Sequence, residues 1–241
     1  MDFALLKNNN TFVPYETHHW FALLFFLIFG FVLIHFSKKN ATKQQQALIG
    51  NIYAFFLSFV IIAWTITKYF LNDFDVKTDL PLHLCNLIAL SLPVYSLTRK
   101  KIIFEILLFW VFSGTIQALF TPDLKDGFPH YTYFKYWFAH AGVIVFMLYA
   151  IFVFNERPKL KSVLKSFIAL QVYVVFIFIV NLILKSNYFF INKKPDVPTL
   201  LDWFGEWPYY ILVGELIVIP FFLIIYLPFY LAKKGLPKRL E

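Results

Sequence analysis

The chain has 241 residues, of which 60% are hydrophobic, 22% aromatic and only 15% charged, with a net charge of +8. So few charges cannot cover the apolar surface of a soluble domain this long, and the mean hydropathy of +0.66 agrees, so the sequence reads as an integral membrane protein. The basic residues lie in short clusters between apolar runs, which suits anionic lipid headgroups as partners and argues against nucleic acid.

Spanning ~30 Å of hydrocarbon takes about 20 apolar residues as helix. Seven runs qualify in chain order: approximately Trp20–Phe36, Ala47–Leu71, Leu80–Leu97, Ile102–Phe120, Tyr133–Phe154, Val163–Leu184 and Tyr209–Ala232. The first run does not read as a signal peptide, because its flank lacks a basic cluster and no small-residue cleavage site follows. The third and fourth are separated only by Thr98–Lys101 and must form a tight antiparallel hairpin. Pro81 suits a first helical turn, with Asp79 as the expected N-cap. The long segment from Lys185 to Pro208, with Trp203 and Trp207, reads as a structured re-entrant or interfacial cap. The fold expected is an all-α seven-helix transmembrane bundle forming one domain over 1–241.

Orientation follows the basic residues. Lys38, Lys39 and Lys43 lie after the first run, and Arg99, Lys100 and Lys101 after the third. Arg157, Lys159, Lys161 and Lys165 follow the fifth, and Lys233, Lys234, Lys238 and Arg239 the seventh. Their alternation places the N-terminus outside and the C-terminus in the cytoplasm.

Polar residues then fall at a shared depth. Cys85, the lone cysteine, lies about five residues below the outer end of the third run, ~7–8 Å deep at 1.5 Å per residue. His140, Gln117, Glu215 and Asn181 sit near the same end of the fifth, fourth, seventh and sixth runs. Polar groups in hydrocarbon are costly unless paired or lining a wet cavity, so this depth suggests an outer-leaflet cavity. Helical spacing puts His83 and Asn86 together and turns Cys85 away from His83. The helix dipole near its N-terminus favours a thiolate at Cys85, while burial opposes one. On residue type alone, Cys85 fits an inert core thiol or a nucleophile, His140 and Glu215 interhelical contacts or site residues, and Asn86, Gln117 and Asn181 helix glue. His18 and His19, at the first membrane boundary, are expected to snorkel, as are His35 and Glu105 at the opposite face. A zinc site would draw on His83, Cys85, His130 and His140, yet no histidine pair has i,i+4 spacing. Neither metal nor cofactor is expected.

Three stretches carry a resemblance: "LPLHLCN" (Leu80–Asn86), "FAHAGV" (Phe138–Val143) and "NYFFINKKPDVPTLLDWFGEWPYYIL" (Asn187–Leu212). With the seven-run layout, the chain resembles the YwaF-like integral membrane proteins of bacteria, relatives of a eukaryotic ether-phospholipid acyltransferase. The resemblance implies a cysteine–histidine pair, falling on Cys85 and His140, that works on acyl esters of phospholipid or lysophospholipid in a bacterial plasma membrane. Transferase and hydrolase both fit. His83, Asn86, Gln117, Asn181 and Glu215 would support the pair, Glu215 or Asn181 by orienting the imidazole and Asn86 or Gln117 by binding the oxyanion. The alternatives are a solute or proton transporter with a His140/Glu215 relay, and a receptor-like binding module.

Overall fold

A computed structural model of the chain describes residues 6, 10–196 and 199–234. Among these residues the secondary structure is helical, without strands. The long helices are α1 (Thr17–Asn40), α2 (Lys43–Phe70), α3 (Leu84–Thr98), α4 (Lys101–Phe120), α5 (Tyr131–Phe152), α6 (Leu160–Leu184) and α7 (Tyr209–Lys234). Six of them are long and apolar enough to cross a membrane. The exception is α3, whose 15 residues extend only about 22 Å at 1.5 Å per residue.

That helix starts four residues later than the sequence suggests. Pro81 favours extended backbone at Leu80, and His83, not Asp79, occupies the N-cap with φ −65 and ψ 143. Asp79 instead accepts from Lys68 Nζ at 3.0 Å and from the Asp75 amide at 2.8 Å. Pro93 lies inside α3 and has no N–H for the Ala89 carbonyl. Ser58 on α2 supplies the missing donor, its Oγ at 2.7 Å from that carbonyl. At the far end Arg99 turns the chain in the left-handed region, φ 52, and lays its guanidinium 3.3 Å above the Phe154 ring.

In the bundle α2 packs on α3, α1 on α5, α4 on α6, and α6 on α7. The most enclosed of the long apolar helices is α5. The outward faces carry apolar side chains such as Phe21 and Leu27 on α1, Ile183 on α6 and Leu216 on α7, as a lipid solvent allows.

Two residues expected to snorkel do not. Glu105 is buried and meets Lys165 of α6 at 2.7 Å, so an ion pair rather than water compensates its charge. His19 is fully buried, accepting from the Tyr15 amide at Nδ1 (2.9 Å) and donating to the Leu119 carbonyl from Nε2 (2.8 Å). It thereby ties the start of α1 to the end of α4. Lys238 and Arg239 lie outside the described residues.

The segment between α6 and α7 forms a cap over one end of the bundle, built on 3₁₀ turns at Tyr188–Phe190 and Leu200–Phe204. Its Trp203 and Trp207 are exposed. Burial pushes the Tyr188 phenol up to about 12, so it stays protonated and donates to the Val76 carbonyl at 2.7 Å.

Candidate active site

Beneath the cap lies a cavity of about 580 Å³, walled by α3, α4, α5, α6 and α7. Ile88, Trp110, Leu170, Val174, Val218 and Phe221 line its deeper part. His83, Cys85 and Asn86 enter from the start of α3, Gln117 from α4, Lys135, Tyr136 and His140 from α5, and Glu215 from α7. Phe189 and Phe190 close it from the cap, both with positive φ (59 and 54), a conformation bulky residues adopt only when the surroundings impose it.

Two π-turns shape the middle of this site. One, Val111–Thr115, interrupts α4; the other, Phe138–Gly142, interrupts α5 and carries His140. They touch each other, and α3 touches both. A π-turn bonds amides five residues back instead of four, which leaves a carbonyl without its usual amide. The Tyr136 carbonyl accepts from His140 Nδ1 at 2.8 Å. A carbonyl can only accept, so Nδ1 carries the proton and Nε2 is left free, and the Cys85 thiol is close enough to the imidazole for the two to interact electrostatically. The Tyr136 ring stacks on the imidazole with centroids 4.1 Å apart and fixes its plane.

Cys85 is the second residue of α3. The first backbone bond of that helix runs from the Leu87 amide to the His83 carbonyl at 3.0 Å. Among the described residues no backbone carbonyl accepts from the amides of Leu84, Cys85 and Asn86, the expected state of a helix start. These donors lie at the start of the helix that carries the sulfur, where an anion would meet the positive end of the helix dipole.

His83, Cys85 and Asn86 all line the cavity, although helical spacing turned His83 and Cys85 apart. The spacing argument fails because His83 is an extended N-cap rather than a helical residue. Its ring meets Tyr188 and Phe190 of the cap, with centroids 5.3 and 5.2 Å away. Gln117 and Glu215 also reach the cavity, but Glu215 accepts from Gln171 of α6 at 2.6 Å, and the Tyr136 carbonyl holds the Nδ1 position. Asn181 is outside the cavity wall. It is buried against the cap, donating to the Tyr188 carbonyl (2.9 Å) and accepting from the Tyr188 amide (2.8 Å) and Ser186 Oγ (2.8 Å). His130 caps the start of α5 through Thr132 and stands 3.4 Å from Asp126. Among the described residues no three His, Cys, Asp or Glu side chains converge as metal ligands.

Sequence reasoning missed Lys135, the Tyr136 carbonyl and the cap phenylalanines. Lys135 left a signal: it is a lysine inside an apolar run with no acidic residue within four positions on either side. Neither the π-turn nor the positive φ values had one.

The apolar helices and their outward-facing side chains define an integral membrane protein with a polar-lined cavity at one end. Residues 14–226 match the TMEM164 family, and the chain belongs to that family. A protein of Treponema pallidum (strain Nichols), described as uncharacterized, is 25% identical over 168 residues, covering 68% of each chain. No solved structure matches.

Proposed function

We propose that the protein is a lipid acyltransferase or acyl hydrolase whose nucleophile is Cys85 and whose acid–base residue is His140. The observation that carries the reading is a thiol and an Nδ1-anchored imidazole within electrostatic reach of each other, at a helix start, on the wall of one cavity of lipid-accommodating size. His140 Nε2 takes the thiol proton as sulfur attacks the acyl carbonyl of a phospholipid. The carbonyl oxygen becomes an oxyanion beside the amides at the start of α3, the type of contact typically worth ~3–4 kcal/mol. The C–S bond forms, the ester C–O bond breaks, and Nε2 returns the proton to the departing lyso-lipid oxygen. An acceptor hydroxyl or water then attacks the thioester, gives its proton to Nε2 and expels the thiolate, which is reprotonated.

Asn86 and Gln117 are further donors at the wall, and His83 positions the cap through its ring contacts. Asn181 and Glu215 act at one remove, on the cap and on α6. The reading includes kinship with the YwaF-like proteins, seven membrane passages with α3 the short one, N-terminus outside, and residence in a bacterial plasma membrane. The clusters at Lys38–Lys43, Arg99–Lys101 and Arg157–Lys165 would then face anionic headgroups of the cytoplasmic leaflet.

The test is lipidomics on membranes of cells expressing wild type, Cys85→Ala or His140→Ala. The wild type shifts the acyl composition of phospholipids or lysophospholipids and both variants abolish the shift. A shift that survives both substitutions, or a wild type that alters no lipid, removes the reading.

A further inference from the structure

We infer that Lys135 is the anion-recognising residue of this cavity and that it selects an acyl lipid bearing a phosphate over a neutral one. The inference rests on the lipid-acyl reading above and names the residue by which the same site reads the headgroup of its substrate.

Lysines that meet the buried and half-buried parts of this fold are matched by acids, and Lys135 breaks that pattern. Lys68 lies 3.0 Å from Asp79 and 3.2 Å from Asp73, Lys165 2.7 Å from Glu105, and Lys194 3.3 Å from Glu206. Lys135 is largely buried and lines the cavity, yet among the described residues it makes no hydrogen bond and no ion pair. Of the acids that line the cavity, Asp123 forms no ion pair with Lys135 and Glu215 is engaged on α6, while Asp79, whose charge reaches Lys135, is engaged on α2. Asp79 is held by Lys68, and Glu215 by Gln171. A cation taken from water with no counter-charge in contact is costly, and such a residue persists where a ligand completes it.

The location decides what that ligand is. Lys135 is close enough to His83, Cys85 and His140 for their charges to interact. An anion on its ammonium therefore shares a chamber with the thiol, one whose deeper wall is aliphatic and aromatic. A glycerophospholipid has this layout: acyl tails, an ester carbonyl, and a phosphate one glycerol unit away. An ammonium is a compact point charge that serves phosphate well, whereas a neutral glycerolipid offers it nothing. Lys135 would fix the headgroup so that the ester carbonyl rests against the Cys85 sulfur.

The experiment measures binding in a Cys85→Ala background, where the proposed acyl chemistry cannot proceed. Purified protein is titrated by native mass spectrometry with lysophosphatidylcholine, monoacylglycerol of the same chain length, the corresponding free fatty acid, and inorganic phosphate. Lysophosphatidylcholine is expected to bind at least about tenfold more tightly than monoacylglycerol. Lys135→Met removes that preference and Lys135→Arg retains it. Equal binding of the neutral lipid overturns the inference without need of a variant. So does a preference that persists in a folded Lys135→Met protein. Fatty acid or inorganic phosphate binding as tightly as the lysophospholipid also overturns it, by showing a site for carboxylate or free anion. Failure of the acyl reading itself is seen separately, as absence of lipid turnover with the binding preference intact.

Discussion

Replacing Asn181 with leucine separates two roles that its position near the end of α6 allows. Its side chain makes three hydrogen bonds to the cap, two to the Tyr188 backbone and one to Ser186, all between 2.8 and 2.9 Å and all buried. Each is worth ~0.5–1.5 kcal/mol net, so together they hold the cap by about 2–4 kcal/mol. Losing them leaves a buried N–H and C=O of Tyr188 unpaired. Local opening of the cap should then become roughly 30- to 700-fold more frequent, at about 1.4 kcal/mol per decade. Hydrogen exchange of the protein in lipid nanodiscs reads this directly. Amides of residues 186–193 lose protection by that factor, while those of α5 keep theirs. Lipid turnover falls through a raised KM with kcat preserved, because Asn181 is not among the partners that hold His140. Unchanged protection in 186–193 refutes the reasoning, and so does a collapse of kcat with the cap intact, which would make Asn181 an orienter of the imidazole.

Ser58→Ala removes the donor that serves the Ala89 carbonyl opposite Pro93, and should cost about 1–3 kcal/mol, seen as a lower Tm in detergent with no loss of turnover per folded molecule. Lys165→Met strands the buried Glu105 carboxylate and should cost about 3 kcal/mol, at the low end for a buried pair because Lys165 is half exposed; Glu105→Gln combined with it restores much of the Tm. Gly114 lines the cavity, and a Cβ added there meets nothing within 4 Å. Gly114→Leu should therefore leave stability within about 1 kcal/mol of wild type while lowering phospholipid turnover at least tenfold by occupying the chamber; unchanged turnover would place the substrate elsewhere.

The apolar runs were legible because lipid imposes one rule on every residue of a span, and six of the seven were long enough to show it plainly. That Cys85, His140, Gln117 and Glu215 would stand apart from their apolar runs was legible for the same reason, since a polar side chain in a span stands out, and all four line one cavity. What could not be read depends on local backbone geometry. The extended conformation of His83 brings it to the same wall as Cys85, and nothing in "LPLHLCN" fixes that conformation against a helical start at Leu80. The Tyr136 carbonyl, one turn before His140, takes the place of the carboxylate or amide expected to orient the ring, and "FAHAG" carries no mark of it. Asn181 lay at the right depth and faces the cap, because the chain turns back over α6 through a left-handed residue at Lys185, φ 52. Glu105 and His19 sit near helix ends where snorkelling is the usual outcome; partners distant in sequence, Lys165 and the Leu119 carbonyl, bury them instead.

The central claim is that an acyl group passes through sulfur at Cys85. Intact-protein mass spectrometry tests it: wild type in nanodiscs receives a phospholipid with an isotope-labelled acyl chain and is quenched in acid within the first turnovers. The expected result is one added acyl mass, localised to the peptide containing Cys85, released by neutral hydroxylamine as a thioester should be, and absent from Cys85→Ala. Turnover of the labelled lipid without any acyl mass on Cys85, or with the label on another residue, would contradict the account.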